Sequence, residues 1–263
     1  MPNLKTKTIR TPLKNDYAYT MSNDGTVDGK VELQDFTVIP ETSRTINFTS
    51  SQTAAQIQTE INAVGKYISK GSDVIFQFAN GTYSLDDTLN FQGFYGGGEI
   101  YIQGDTSQTD GLHTNHNVHL DFTGATLSLS AVNVDSCILS MVYVRHLKIT
   151  AEDGDICLSA NAEVGLRVFY NYLINNAKTS SSSIGYRSFG GCTTQFTGNY
   201  VSNNHYAISS NVNSKIYSNG NDDTGTQPNY GLHASNNSVI GKNGTQPSGA
   251  TADELSNSGG EIR

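Results

Sequence analysis

Apolar residues follow a helical spacing in one early stretch of the chain. Four of them are separated by 4, 3 and 4 positions and so share one helix face: Ile57, Ile61, Val64 and Ile68. Ser51 or Thr53 can cap the start of this helix, and Gly71 can end it. The pattern predicts an amphipathic helix over residues 51–70.

After Gly71 the pattern changes to short apolar runs separated by Asn, Gly, Ser and Asp. Many runs contain a triplet in which two inward-pointing residues flank one polar, outward-pointing residue. The triplets are Phe76-Gln77-Phe78, Ile100-Tyr101-Ile102, Leu120-Asp121-Phe122, Leu147-Lys148-Ile149, Leu166-Arg167-Val168, Thr194-Gln195-Phe196, Ser214-Lys215-Ile216 and Leu232-His233-Ala234. The shorter steps between them cluster near 20 residues.

A repeat of about 20 residues made only of short strands predicts a parallel β-solenoid of about eight turns. A β-sandwich would show hairpin turns every 8–12 residues, and a propeller would repeat near 40. We therefore predict an all-β chain whose helix covers the open N-terminal end of the column. Six residues in register are expected in one stacked core: Leu147, Ile149, Leu166, Val168, Phe196 and Ile216.

The same pattern divides the chain into four parts. Residues 1–43 form an extended attachment or oligomerisation segment, residues 44–71 the capping region, residues 72–244 the β-helix, and residues 245–263 a polar C-terminal tail. We expect the first and last parts to become ordered through contacts with other chains.

Charge and composition exclude several classes of function. Sixteen Lys and Arg against 24 Asp and Glu give a net charge of −8, which disfavours bulk nucleic-acid binding. No apolar stretch is long enough to insert into a membrane, and no secretory signal is visible. Three cysteines without metal spacing are expected to be small buried side chains: Cys137, Cys157 and Cys192. We predict no metal site and no cofactor.

Residues 73–91 resemble a known family. The strand Asp73–Phe78 is followed by Asn80-Gly81-Thr82-Tyr83 and then by Leu89 and Phe91. This arrangement resembles the first turn of pectate-lyase-like right-handed β-helix proteins, and the similarity extends over about residues 51–244. It implies a right-handed parallel β-helix and leaves the function open.

A second resemblance lies near the N-terminus. Lys14-Asn15-Asp16-Tyr17, the turn Asn23-Asp24-Gly25 and the stretch Lys30-Val31-Glu32-Leu33-Gln34-Asp35 are similar to N-terminal segments of bacteriophage tail spike and appendage proteins. Such spikes are typically homotrimers, joined to other virion proteins through this segment. The resemblance implies a homotrimer located in the virion and made in the host cytoplasm.

The outward residues of the triplets are the candidate site. If they form one column, Asp121, Lys148 and Arg167 lie on consecutive turns about 5 Å apart. Polysaccharide lyases of the resembled fold use Lys or Arg on such a face, so the catalytic candidates are Lys148 as base and Arg167 as carboxylate clamp, with Asp121 as the third member of the trio. The alternative is an ordinary polar ladder. Glycan-binding candidates on this column are Tyr101, Asp121, Lys148, Arg167, Lys215 and His233.

Three hypotheses of function remain open. The first is a phage or prophage virion component that contacts a cell-surface polysaccharide without catalysis. The second is a polysaccharide lyase or other carbohydrate-active β-helix enzyme, and the third is a non-catalytic glycan-binding solenoid. The chain contains no Trp, the best aromatic residue for sugar stacking, which lowers the expectation of a polysaccharide-processing enzyme.

Overall fold

The computed structural model describes residues 17–21, 27–32, 41–107, 116–128, 130–223 and 225–263. It separates into two units, residues 1–39 and residues 40–263. The first unit contains an antiparallel hairpin in which β1 (Tyr17–Met21) pairs with β2 (Val27–Glu32).

The second unit is built from three parallel sheets and a small strand pair. The nine-stranded sheet contains β3 (Arg44–Phe48), β5 (Asp73–Phe78), β9 (Glu99–Gln103), β12 (Met141–Arg145), β15 (Gly165–Phe169), β18 (Thr193–Thr197), β21 (Lys215–Asn219), β23 (Val239–Asn243) and β25 (Glu261–Ile262). The five-stranded sheet contains β6 (Gly81–Ser84), β10 (Val118–Asp121), β13 (Lys148–Ala151), β16 (Tyr172–Asn175) and β19 (Tyr200–Ser202). The seven-stranded sheet contains β7 (Leu89–Gln92), β11 (Ser130–Asp135), β14 (Ile156–Asn161), β17 (Ile184–Phe189), β20 (Tyr206–Asn211), β22 (Tyr230–Ala234) and β24 (Ala252–Ser256).

The chain visits the nine-, five- and seven-stranded sheets in turn and then returns to the first sheet one strand further on. The last two returns reach the seven-stranded sheet without a strand in the five-stranded one. Strands β4 (Tyr67–Ile68) and β8 (Tyr95–Gly96) form a separate parallel pair beside the first turns. This connectivity is that of a parallel β-helix of about eight turns, which confirms the predicted fold class.

The predicted repeat length was wrong. Equivalent positions of the nine-stranded sheet, from Tyr143 onward, lie 24, 28, 22 and 24 residues apart. The triplets gave steps near 20 because most turns contain three strands and each strand has the same local alternation. Five of the eight triplets lie in the nine-stranded sheet, two in the five-stranded sheet and one in the seven-stranded sheet, so they do not form one column.

The predicted core is confirmed. All six residues expected in it are buried and belong to one continuous apolar cluster: Leu147, Ile149, Leu166, Val168, Phe196 and Ile216. Within the nine-stranded sheet, Val168 stacks in register on Phe196. The three cysteines are also buried and unpaired, and burial raises the pKa of the Cys137 thiol to about 11.

A column of buried asparagines lies at the corner between the nine- and five-stranded sheets. The backbone N–H of Asn171 donates to Oδ1 of Asn199 at 3.0 Å, and that of Asn199 donates to Oδ1 of Asn221 at 2.9 Å. All three side chains are fully buried. Because a buried unpaired polar group is costly, this ladder stabilises the corner on successive turns.

Helix α1 (Ala54–Asn62) is shorter than the predicted helix over residues 51–70. Thr53 caps it through a capping box with Gln56, and the helix ends before Gly65. Ile68 is buried as its spacing implied, but it lies in strand β4. Helical spacing and strand alternation both bury such a residue, so the pattern could not separate them.

Helix α1 covers the first strand of the seven-stranded sheet. Nε2 of Gln58 donates to the Asn90 carbonyl oxygen at 3.0 Å, and the Asn90 backbone N–H donates to Oε1 of Gln58 at 2.7 Å. One side-chain amide thus pairs with strand β7 where no earlier strand exists, as expected of a capping helix.

The C-terminal residues differ from the predicted polar tail. Strands β24 and β25 lie beyond residue 244 and extend the seven- and nine-stranded sheets. Their sequences are too polar to read as core strands, because the residues of both strands are exposed or half-buried. Among the described residues, no helix is long and apolar enough to cross a membrane.

Candidate functional site: a groove on the seven-stranded sheet

The structure separates the residues of the predicted catalytic trio. Lys148 and Asp121 lie in the five-stranded sheet, where the partner of Lys148 in register is His119 and that of Asp121 is Thr150. Arg167 lies in the nine-stranded sheet. The proposed pairing of Lys148 with Arg167 as base and clamp therefore has no basis in the register.

Asp121 and Lys148, the two trio residues in the five-stranded sheet, both have local contacts. Oδ1 of Asp121 accepts hydrogen bonds from the backbone N–H and the hydroxyl of Thr123, at 3.1 and 2.6 Å, which stabilises a turn. The Lys148 ammonium lies 5.8 Å from the centre of the Tyr172 ring. Burial, together with the nearby Lys148 charge, lowers the pKa of His119.

Tyr101 and Arg167 do share a column, with Tyr143 between them. The rings of Tyr101 and Tyr143 stack at 4.5 Å and are parallel to within 3°. Arg145 lies over Tyr101 at 4.9 Å, and Arg167 lies over Tyr143 at 5.8 Å. We call Tyr101, Tyr143, Arg145 and Arg167 the tyrosine–arginine face.

Two residues of this face, Arg145 and Tyr101, have hydrogen-bond partners within the protein. Both Nε and Nη2 of Arg145 donate to Oε1 of Gln103, at 2.9 and 2.6 Å. The Tyr101 hydroxyl donates to Glu99 at 2.6 Å, and burial followed by this bond raises the Tyr101 pKa. The face is therefore a stacked, hydrogen-bonded surface without an unsatisfied charge on Arg145.

The remaining two binding candidates lie elsewhere. Lys215 is exposed at the start of strand β21 in the nine-stranded sheet, in register with Thr193 and not with Arg167. His233 lies on the seven-stranded sheet, where its ring stacks on Tyr206 at 4.3 Å. The Ser209 hydroxyl lies 3.0 Å from Nδ1 of His233, but Ser209 is fully buried, so this Ser–His contact offers no accessible nucleophile.

Arg187 is the most unusual charged residue on the seven-stranded sheet. Its neighbours in register are two fully buried serines, Ser159 and Ser209. Nη2 donates to Oδ1 of Asn161 at 3.3 Å, and the guanidinium lies 5.3 Å from the Phe189 ring. Nε is buried without a hydrogen-bond partner, and burial lowers the Arg187 pKa.

No described carboxylate lies within ion-pair distance of Arg187. The guanidinium instead faces a cavity of about 340 Å³, which we call the Arg187 cavity. It is lined by Leu127, Ser128, Gly154, Asp155, Ile156, Ser181, Ser182, Ile184 and Arg187. Burial, and the nearby Glu152 charge, raise the pKa of Asp155.

A larger cavity of about 580 Å³ lies at the corner that follows strands β11, β14 and β17. We call it the corner pocket; its lining is Asp135, Ser136, Ile138, Asn161, Ala162, Glu163, Phe189 and Gly190. Asn161 and Phe189 line the corner pocket and also contact Arg187, whose side chain lines the Arg187 cavity.

A third cavity of about 410 Å³ shares Asp135 and Ser136 with the corner pocket, and Lys66 also lines it. The Lys66 ammonium donates to the Gln92 carbonyl oxygen at 3.0 Å, and burial lowers its pKa. We call the three cavities together the groove. Its lining includes two cations, Arg187 and Lys66, together with carboxylates, an amide and an aromatic ring.

The sequence patterns missed this groove. Arg187 lies between Tyr186 and Ser188, so its strand lacks the two flanking apolar residues of the triplets. Asp135 lies in none of the triplets. The exposed apolar residues Ile138 and Phe189 lie 51 positions apart, and only the register of the seven-stranded sheet brings them to one pocket.

Comparisons with known proteins add little to this geometry. No family model and no curated protein matches the chain. A solved structure of rice weevil pectin methyl esterase is similar with a TM-score of 0.38 and 12% sequence identity, covering 82% of this chain and 78% of that chain. The assignment of the fold rests on the strand pairing itself.

Proposed function

We propose that the protein is a glycan-binding parallel β-helix and that the groove holds a polysaccharide chain. The observation that carries this proposal is Arg187, a half-buried arginine that lines a cavity and whose Nε is buried without an acceptor. Burial of a hydrogen-bond donor without an acceptor is unfavourable, so a ligand that reorients the guanidinium and supplies acceptors would explain this arrangement.

The rest of the groove suits the same class of ligand. A sugar hydroxyl both donates and accepts hydrogen bonds, and the groove offers donors in Arg187 and Lys66 and acceptors in Asp135 and Glu163. The Phe189 ring is 40% exposed beside them and can stack against the apolar face of a pyranose. A groove made of several cavities favours a polysaccharide chain over a single small molecule.

The binding test uses Arg187→Gln and a matched control, Arg167→Gln, which removes an arginine from the tyrosine–arginine face. A printed array of bacterial surface polysaccharides and uronate oligosaccharides identifies a bound glycan, and calorimetry measures its affinity. We expect Arg187→Gln to weaken binding at least about tenfold, because hydrogen bonds to a charged group are lost. Equal effects of both substitutions, or no binding on the array, would reject the proposal.

We propose that this binding is not coupled to cleavage. The residues expected to act as base and clamp lie on different sheets, and Ser209 is inaccessible. Incubation with uronate polysaccharides should therefore release no unsaturated sugars that absorb in the ultraviolet. Release that depends on Arg187 or Lys148 would instead support the polysaccharide lyase alternative.

We also propose that the protein is a virion component, a tail spike, fibre or appendage, and a homotrimer attached through residues 1–43. The supporting observation is that residues 1–39 form a unit of their own with the β1–β2 hairpin, after a head of four basic residues. The intact chain should sediment with phage particles, and a variant lacking residues 1–39 should not. Light scattering that gives a monomer mass would reject the trimer.

A further inference from the structure

The corner pocket contains two of the largest exposed apolar side chains among the described residues. Ile138 is 67% exposed and Phe189 is 40% exposed, and both line the same cavity of about 580 Å³. Exposed apolar side chains are ordinary when scattered singly, but two in one concave site indicate a ligand with an apolar group.

The backbone holds both side chains in place. Ile138 pairs with Tyr95 in a β-bridge, where its N–H donates to the Phe94 carbonyl oxygen at 2.8 Å. Phe189 ends strand β17 and pairs in register with Asn161 and Asn211. The pocket is therefore formed before any ligand arrives, which lowers the entropic cost of binding.

The rim of the pocket is polar. Asp135 and Glu163 offer carboxylates and Asn161 an amide, around the apolar floor made by Ile138 and Phe189. Carboxylates beside an apolar surface disfavour an apolar protein segment, which would bury them unpaired. They suit a ligand that carries hydroxyl groups and one apolar substituent on the same ring.

We infer that the corner pocket is a specificity site for a sugar that bears a methyl group, either a 6-deoxyhexose or an N-acetylhexosamine. The inference rests on the proposed function, since Asn161 and Phe189 of this pocket contact Arg187. The methyl group contacts Ile138 and Phe189 while the ring hydroxyls bond to Asp135, Asn161 and Glu163.

The test compares sugar pairs that differ in the methyl group. L-fucose is measured against L-galactose, L-rhamnose against L-mannose, and N-acetylglucosamine against glucose, by saturation-transfer NMR on the full chain. At least one methyl-bearing sugar should bind about fourfold more tightly than its partner, the ratio that burial of one methyl group gives. Its methyl protons should receive the strongest saturation, and the responding pair identifies the deoxy or the N-acetyl source.

Ile138→Asn should remove this preference and leave the affinity for the hydroxyl-bearing partner within about twofold, because one methyl contact is lost. Phe189→Asn provides a second variant in case the first unfolds, and Tyr217→Asn, which changes an exposed ring on the nine-stranded sheet, should keep the preference.

Each other outcome overturns the inference. Sugars that bind without a methyl preference, or a preference that survives both pocket variants, reject the pocket and leave the glycan-binding proposal standing. If none of the six sugars binds but the polysaccharide array is positive, the pocket is rejected and the glycan-binding proposal stands. If neither experiment shows binding, the proposed function is rejected as well. Self-association that Ile138→Asn abolishes would assign the pocket to a second copy of the chain.

Discussion

The groove and the tyrosine–arginine face use arginine in opposite ways. On the face, Arg145 donates twice to Gln103 and stacks on Tyr101, so the protein itself supplies its partners. In the groove, Arg187 has one long bond to Asn161, and its Nε is unpaired and buried. An arginine whose partners lie within the protein, such as Arg145, belongs to a structural ladder. An arginine with an unpaired nitrogen that lines a cavity, such as Arg187, marks a candidate site.

Both surfaces depend on one core, so the largest effect should come from breaking that core. Ile149→Asp places a charge among fully buried apolar side chains and should cost more than about 4 kcal/mol of unfolding free energy. Circular dichroism should show loss of the β-sheet signal and of the thermal transition. Ile138→Asp, at an exposed position, is the control, and a folded Ile149→Asp protein would contradict the register.

The second prediction separates the two arginines by stability. Arg187→Met should raise the unfolding free energy by about 1–2 kcal/mol, because it removes a poorly compensated buried charge and keeps the apolar stem. Arg167→Met, on the partly exposed face, should change it by less than about 0.5 kcal/mol. Urea unfolding measures both, and a destabilised Arg187→Met would show that the guanidinium is already satisfied.

The third prediction concerns the face alone. Tyr143→Ala removes the ring stacked on Tyr101 and should lower the unfolding free energy by about 1 kcal/mol, the usual contribution of an aromatic pair. Glycan binding by the groove should be unchanged in calorimetry. A loss of binding as large as that of Arg187→Gln would move the site to the face.

The smallest expected effect is a pH dependence of stability that comes from two histidines at the seven-stranded sheet. Burial lowers the pKa values of His205 and His233, so the unfolded chain binds protons more readily than the folded one. The stability contribution is complete above the unfolded pKa near 6.5 and is lost as the pH falls below it. His233→Gln should flatten part of the loss between about pH 7 and 5 in urea titrations; an unchanged profile would exclude His233 as its source.

The sequence was sufficient for the fold class and the buried residues, since Leu166 or Phe196 must point inward whatever sheet its strand joins. It was insufficient for the assignment of strands to sheets, because alternation is the same in all three sheets. Strand β10, for example, joins the five-stranded sheet, so Tyr143 and not Asp121 lies beside Tyr101. Lys148 and Arg167 were consecutive in the triplets yet lie on different sheets.

The candidate site was harder to predict for a related reason. The buried position after Arg187 is occupied by Ser188, so no apolar triplet marked its strand. The corner pocket joins residues from three turns, and its lining depends on where each strand ends. Sequence spacing carries no information on an unpaired Nε, which is a property of everything packed around it.

The bond pair between Gln58 and Asn90 has a wider consequence. A β-helix is a one-dimensional lattice in which every strand is a template for the next, and nothing in the repeat itself limits its growth. At strand β7 a single side-chain amide, which carries the same donor and acceptor as a peptide group, occupies the template without extending it. Gln58, on a nine-residue helix, therefore contributes to the termination of the lattice at this edge.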